Sequence, residues 1–201
     1  MNKTQHMTAE EFRAMIVKDN SKEIIHDAPE TKFKNRCNND RGRAFENLLV
    51  KGCQYYEQRG RAVISKVYEP YRCTKKLTGG RFIGQWIGRA EPDFKGVLRG
   101  GRAIAFEAKS TRKEHINRDA LTKEQMKWLM AQAEMGALAF VCADICGRFF
   151  ALPWYMWHDM HSIFGKKSLT QDDIAQYEVI YDGAVRYLEY INGKSLDDHM
   201  D

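Results

Sequence analysis

The order of apolar and polar positions divides the first half of the chain into helical and extended segments. Asp40 can cap a helix that runs to about Arg59, because apolar residues follow it at helical spacing and Gly60 then provides a stop. The alternation of apolar and polar residues over Ala62–Glu69 predicts a strand, and Pro70 ends it. A long helix followed by a strand is therefore expected here.

The same criteria predict strands and helices further along the chain. Two strands over Asp93–Leu98 and Arg102–Lys109 are joined by a glycine turn, and the second is apolar enough to lie centrally in a sheet. Thr122 and Gln125 form a capping box that opens a helix ending near Gly136. The remaining predictions are strands at Ala137–Asp144 and Arg148–Leu152, a helix after Pro153, a short acidic helix after Ser168, and a strand or helix over Tyr177–Ile191. This order predicts an α/β fold in which helices flank a mixed β-sheet.

The first 38 residues read as an appendage to a main domain that spans residues 39–201. Thr8 and Glu11 form a capping box for a short helix to about Val17. The polar segment Lys18–Arg36 is expected to be a loose lead-in.

The segment Tyr71–Ala90 is basic, aromatic and spaced by glycines, and Thr78–Arg81 predicts a hairpin turn within it. Its cations can meet phosphates and its aromatic rings can stack on unpaired bases. The alternative is a basic surface loop whose aromatic residues fold back on the core. The candidate DNA-binding residues are Arg72, Lys75, Lys76, Arg81, Phe82, Trp86 and Arg89.

The distribution of charge is more informative than the net charge of +5. Residues 31–118 contain 21 Lys and Arg against 8 Asp and Glu, whereas the rest of the chain contains 11 against 19. Such asymmetry is expected where one face meets a polyanion, although a solvated basic surface without a partner would look the same. No apolar run is long enough to span a bilayer and the first residues lack a signal-peptide pattern, so we expect a cytoplasmic protein without a membrane partner.

Two carboxylates and a lysine are expected to converge on the two central strands. Glu107 and Lys109 are two residues apart on one strand and therefore face the same side, and the intervening hairpin can bring Asp93 beside them. Carboxylates suit a hard cation such as Mg²⁺, which can activate a phosphodiester for hydrolysis, while the ammonium group stabilises developing charge. The alternative is an exposed Glu–Lys pair with Asp93 capping a turn. This pattern is typical of PD-(D/E)xK nucleases.

The sequence around these residues resembles the RecU family of Holliday junction resolvases. The resemblance lies in D-F-K-G-V-L from Asp93, A-F-E-A-K-S-T from Ala105, and R-G-R-A-F-E from Arg41. Together with the helix around Gln125, it extends over about residues 39–191. It implies a restriction-endonuclease-like fold with a protruding β-hairpin stalk at residues 71–90.

The resemblance also implies a role for each matching residue. The expected catalytic residues are Glu46, Asp93, Glu107, Lys109 and Gln125. The expected metal ligands are Glu46, Asp93, Glu107 and the Ala108 carbonyl, for Mg²⁺ with Mn²⁺ as a substitute. Thr111 and Arg112 are expected to contact DNA. Gln125 is expected to position the nucleophilic water or to contact DNA; the alternative is that it is only the capping-box partner of Thr122.

The implied activity is the resolution of four-way DNA junctions by symmetric paired nicks, without a small-molecule cofactor. Because a junction is approximately two-fold symmetric, a homodimer is the natural cutter. Residues 117–124 lack the histidine and phenylalanine common in the family, which leaves junction selectivity open. One alternative is a nuclease of the same fold that acts on flaps, ends or duplex sites. The other is a non-catalytic DNA-binding modulator of recombination.

Overall fold

The computed structural model describes residues 29–68, 71–86, 88 and 91–196, without the side chains of residues 29–36, 71 and 86. The predicted helix over Thr8–Val17 lies outside this range. The chain forms two compact units, Met1–Cys37 and Asn38–Asp201, and the second contains all the β-strands described below. None of the described helices is both long and apolar enough to cross a membrane.

The described helices and strands follow one another as predicted in the central part of the chain. The helices are α1 (Pro29–Gln58), α2 (Lys123–Glu134), α3 (Trp154–His158) and α4 (Met160–Phe164). The strands are β1 (Ala62–Lys66), β2 (Tyr71–Lys76), β3 (Phe82–Trp86), β4 (Phe94–Leu98), β5 (Ala103–Thr111), β6 (His115–Asn117), β7 (Leu138–Ile145), β8 (Arg148–Pro153), β9 (Ser168–Thr170), β10 (Val179–Tyr181) and β11 (Val185–Tyr190).

The central sheet has five strands in the order β1-β4-β5-β7-β8. All neighbours are antiparallel except β5 and β7, which are parallel and are joined through the crossover helix α2. A parallel pair needs such a crossover, whereas the antiparallel pairs need only short turns. The predicted α/β class, with helices flanking a mixed sheet, is confirmed.

The core forms around strands β5 and β7 of this sheet. Every residue of β7 is buried, as expected for an apolar strand covered on both faces. Phe106 stacks between Phe94 and Phe140, with ring centroids 4.7 and 4.4 Å away. Helix α1 approaches β11 closely at Gly52, where a Cβ atom would lie 2.3 Å from the Val185 carbonyl oxygen. These contacts fix the strands that carry the candidate site.

The predicted start of the long helix at Asp40 is wrong, because α1 begins at Pro29. Proline is favoured in the first turn of a helix, where its missing N–H has no intrahelical partner. No glycine or proline interrupts the segment between Pro29 and Asp40, so the helix continues through part of the expected loose lead-in.

The C-terminal region also differs from the expected arrangement. A 3₁₀ turn at Ala175–Tyr177 stands in place of the acidic helix, and the ambiguous segment after it forms the two strands β10 and β11. Short strand β6 was not predicted, and it pairs with β9. The β6–β9 pair joins residues distant in sequence, which local patterns do not reveal, whereas β10 and β11 form a local hairpin that resolves the ambiguous pattern as strand.

Strands β2 and β3 form a separate two-stranded sheet, which confirms the predicted hairpin. The turn is a 3₁₀ segment at Thr78–Gly80, and Gly79 and Gly80 have φ of 71° and 73°, a conformation that favours glycine. All described side chains of this hairpin are exposed, including Phe82 at 43% and Ile83 at 52%. The hairpin therefore presents its side chains to solvent rather than to the core.

Asp173 stabilises the connection after β9, and its replacement by asparagine should weaken the fold in a pH-dependent way. Its Oδ2 accepts bonds of 2.7 Å from both the N–H and the hydroxyl of Thr170, and Lys166 lies 2.7 Å away. The Lys166 contact and these bonds lower the pKa of Asp173 to about 2. Because the pKa is lowered in the folded state, the stabilisation is present at neutral pH and is lost as the pH falls from about 4 to about 2.

We expect Asp173→Asn to lose about 1 kcal/mol of unfolding free energy at pH 7, after allowance for solvent screening. Urea unfolding of both proteins along a pH series measures this difference. A difference that stays constant down to the lowest pH would show that the carboxylate charge is not responsible.

Candidate active site

Two neighbouring strands bring the predicted carboxylates together at one end of the sheet. In the antiparallel pairing of β4 with β5, Phe94 lies opposite Phe106, so Asp93 and Glu107 are the next residues outward. The Ala108 N–H donates a 2.8 Å hydrogen bond to Asp93 Oδ2. Here β5 has continued past the end of β4, and the Asp93 side chain takes the place of a strand partner. This bond fixes one oxygen of the aspartate against the strand that carries the glutamate.

Glu107 is a buried carboxyl group beside a second carboxylate. Its residue is 1% exposed, and its pKa is raised to about 8. Burial is the largest cause, and the negative charge of Asp93 is the second, partly opposed by Lys109. A side-chain hydrogen bond with Asp93 raises the pKa further, because it requires a proton on one of the two groups. Lys109 therefore does not fully offset the negative charge of Asp93 and Glu107.

Lys109 and Gln125 both reach the same oxygen of Glu107. Lys109 Nζ lies 3.3 Å from Glu107 Oε2, and Gln125 Nε2 donates a 2.6 Å bond to it. Gln125 also completes the predicted capping box, with Oε1 accepting from the Thr122 N–H at 3.0 Å. Gln125 is therefore more than the capping-box partner of Thr122, since one amide bonds both the helix N-terminus and the Glu107 carboxyl group. Helix α2 positions this amide over the end of β5.

The edge of β5 beyond β4 offers a set of oxygen atoms that suits a hard divalent cation. Asp93 and Glu107 provide the carboxylates, and the Ala108 carbonyl lies on the same strand edge as its N–H, which points at Asp93. Oxygen ligands of this kind are those that Mg²⁺ and Mn²⁺ prefer. Within the described part of the chain, however, no three His, Cys, Asp or Glu side chains are grouped to hold a metal.

The Glu46 carboxylate forms an ion pair with a lysine, separately from the carboxyl groups of Asp93 and Glu107. Lys66 Nζ donates a 2.5 Å bond to Glu46 Oε2, and both side chains are 25% exposed. Lys66 pairs with Phe94 in the register of β1 and β4, which brings it to the strand end that carries Asp93. Lys66 was not among the predicted site residues; the signal in the sequence was a basic residue near the end of the predicted strand Ala62–Glu69.

A second polar network joins α1 to the strands next to the site. Arg41 donates to both Asp144 oxygens at 3.0 and 3.1 Å, and its Nε also bonds the Ser110 hydroxyl at 2.7 Å. Ser110 in turn donates to Asp144 at 2.8 Å. Asp144 is 5% exposed, and a bidentate arginine is the partner that such a buried carboxylate needs. We call these three residues the arginine brace. Sequence analysis did not single it out, although an aspartate within a fully apolar strand was a signal.

The candidate DNA-binding residues occupy two places. Arg72, Lys75, Lys76, Arg81 and Phe82 lie on the exposed hairpin. The Trp86 side chain and Arg89 lie outside the described residues. Thr111 and exposed Arg112 lie two and three residues after Lys109, and Thr111 Oγ1 accepts a bond from the Lys113 N–H.

These features define a class of protein. A Glu-x-Lys strand whose glutamate meets an aspartate of the antiparallel neighbour, in a mixed sheet flanked by helices, is the arrangement of the PD-(D/E)xK nucleases of restriction-endonuclease-like fold. The family model of recombination protein U matches residues 40–193. The chain belongs to this family, and the predicted resemblance is confirmed.

Two individual proteins show the extent of the similarity. A curated relative, the Holliday junction resolvase RecU of Streptococcus gordonii, is 27% identical over 173 residues, which cover 80% of this chain and 86% of that protein. The 1.6 Å structure of Hjc, a Holliday junction resolvase of Archaeoglobus fulgidus, is similar with a TM-score of 0.40 and 17% identity. That match covers 67% of this chain and 88% of the archaeal one.

Proposed function

We propose that this protein is a Mg²⁺-dependent endonuclease that resolves four-way DNA junctions by symmetric paired nicks. The observation that carries the proposal is the buried Glu107 beside Asp93 at the end of the sheet, with Lys109 and Gln125 on the same carboxylate. Its membership of the recombination protein U family supports the same activity. Branched DNA is thus the proposed substrate.

Each residue of the site has a distinct part in this proposal. Asp93, Glu107 and the Ala108 carbonyl would hold the cation, and Glu46 would complete its surroundings from helix α1 once its ion pair with Lys66 is released. The bound cation would polarise the scissile phosphate and lower the pKa of a coordinated water. Lys109 would orient the attacking water and offset the charge that develops on the phosphate. Gln125 would keep Glu107 in place.

We further propose that the active species is a homodimer. The junction is approximately two-fold symmetric, so two copies related by a two-fold axis would present one site to each of two equivalent strands. The basic segment 31–118, with its 21 cations against 8 acidic residues, would supply the surface that meets the DNA.

The test compares a labelled four-way junction with a linear duplex of matched sequence, each incubated with Mg²⁺, Mn²⁺ or EDTA. We expect paired nicks in the junction alone, in the presence of either metal and not in EDTA. Cleavage of both substrates would support a nuclease without junction selectivity. Tight binding with no cleavage under any condition would instead support a DNA-binding modulator and contradict the proposal.

The two roles of Gln125 can be separated by two alanine variants. Thr122→Ala removes only the helix cap, whereas Gln125→Ala removes the cap partner and the 2.6 Å bond to Glu107. Both should lose about 1 kcal/mol of stability, the usual cost of a lost cap. Only Gln125→Ala should slow cleavage substantially, by about 10- to 100-fold, because Glu107 loses a buried donor.

Single-turnover cleavage rates and thermal unfolding of both variants give the comparison. If the two variants lose cleavage to the same extent, Gln125 acts only through the helix cap.

A further inference from the structure

An open groove of about 410 Å³ begins at Lys109 and runs away from the carboxylate pair. One side is the end of β5 with Thr111, and the other is β6 with His115. Ile116, which is 2% exposed, lies at its base. Lys109 belongs both to the candidate site and to the groove. A DNA strand that leaves the site in this direction would therefore enter the groove directly.

The polar side chains of the groove favour an anion. Lys109, Lys113 and His115 line it, against the single carboxylate of Asp119. In the part of the chain that the structure describes, neither Lys113 nor His115 forms an ion pair, whereas Lys109 is paired with Glu107. Lys113 is also exposed, so its ammonium group is available to a phosphate.

The walls of the groove are held in place by contacts outside it. The Lys113 N–H donates to Thr111 Oγ1 at 3.1 Å, and the Cys146 thiol lies 3.2 Å from the Arg112 carbonyl oxygen. On the other side, β6 pairs with β9, and Arg118 donates to the His158 carbonyl at 3.2 Å. These contacts hold the backbone on both sides of the groove in place.

The spacing of the groove matches a nucleic acid strand. Side chains of Lys109 and Thr111 point to the same face of β5, about 6.6 Å apart at the rise of a strand. The backbone of a DNA strand winds around the helix axis, so adjacent phosphates lie further apart than the axial rise of about 3.4 Å, and this step corresponds to about one nucleotide. We propose that the groove binds the backbone of the cut strand beside the scissile phosphate, with Lys113 and His115 as its phosphate contacts. This inference rests on the proposed function and adds the residues that would contact the DNA backbone next to the cut.

The experiment pairs protein variants with junctions in which single phosphates are replaced by neutral methylphosphonates. Wild type should cleave about 5- to 10-fold more slowly when one phosphate within about two nucleotides of the cut is neutralised. Lys113→Ala should be slowed by a similar factor on the unmodified junction, yet show no further loss at that position. His115→Ala should show the same behaviour at the same or the adjacent phosphate. Exposed Lys194, outside the groove, provides the matched control Lys194→Ala, which should behave as wild type.

The two proposals fail in different ways. If wild type cleaves the junction but Lys113→Ala stays as sensitive as wild type to every neutralised phosphate, the groove assignment is overturned and the nuclease function stands. If wild type cleaves nothing, the nuclease function is overturned, and junction affinity replaces cleavage rate in the same comparison. Additive losses of affinity would then overturn the groove assignment as well, while non-additive losses at one position would support it.

Discussion

Substitution of Asp93 by asparagine should reduce the rate of junction cleavage by at least about 1000-fold while leaving junction binding and the fold intact. Asparagine can still present an oxygen to the Ala108 N–H, which now bonds Asp93 Oδ2 at 2.8 Å. The change therefore removes a negative charge with little change of shape. Without that charge the cation would be held weakly, and the stabilisation of the transition state that depends on it would be lost.

The pH behaviour of the neighbouring carboxyl provides a second measure of the same substitution. The charge of Asp93 is one of the reasons that the pKa of Glu107 is raised to about 8. In the metal-free Asp93→Asn protein this pKa should fall towards its ordinary range, and burial alone would keep it from falling fully. A carboxyl-labelled NMR titration of the metal-free proteins would record the change.

A matched control is available in Asp172, an exposed aspartate after β9. Asp172→Asn carries the same loss of charge and should cleave the junction like wild type. Cleavage by Asp93→Asn within about tenfold of wild type would show that this carboxylate does not take part in the chemistry.

Shortening the β2–β3 hairpin should lower junction affinity by about 100-fold and remove the preference for a junction over a duplex. Replacing residues 74–83 with Asn-Gly keeps the pairing of Cys73 with Gly84 and closes it with a two-residue turn. The hairpin is a separate sheet with exposed side chains, so its removal should not disturb the core. The shortened protein loses Lys75, Lys76 and Arg81, and the salt dependence of duplex-arm binding should decrease by about 0.9 per lost phosphate contact.

Two further variants separate charge from stacking. Replacing only Lys75, Lys76 and Arg81 by alanine should reduce the salt dependence but leave part of the junction preference. Phe82→Ala should reduce the junction preference and leave the salt dependence nearly unchanged. Stacking of an aromatic ring on a base contributes about 1–3 kcal/mol with little salt dependence. Titration of labelled junction and duplex at several salt concentrations gives both quantities. An unchanged ratio of junction to duplex affinity in the shortened protein would contradict a role in junction recognition.

The parts of the fold that could be predicted from the sequence depend on contacts between residues close in the chain. The capping box of Thr122 and Gln125 spans one helical turn, and the β2–β3 turn is encoded by Gly79 and Gly80. The pairing of Asp93 with Glu107 follows from one hairpin and from the period of two along a strand. In each case the local pattern and the tertiary structure agree.

The parts that could not be predicted depend on partners far apart in the chain. Lys66 is a basic residue near the end of a predicted strand, but its pairing with Glu46 on α1 depends on tertiary contacts that the local sequence of neither residue reveals. The same applies to β6 and β9, which pair with each other although they are far apart in the chain. The early start of helix α1 was missed for a different reason: nothing marks a stop between Pro29 and Asp40, but the absence of a stop is a weak signal of helix.

The arginine brace has a consequence for the order in which parts of the molecule unfold. The bond between Asp93 and Ala108 closes a loop of 15 residues, whereas those between Arg41 and Asp144 close one of 103. Chain entropy makes the longer closure more costly by about 2 kcal/mol, so the short hairpin can persist when the long-range contact is lost. The acidic pair thus depends on a short chain closure, whereas the alignment of α1 with the sheet depends on a long one.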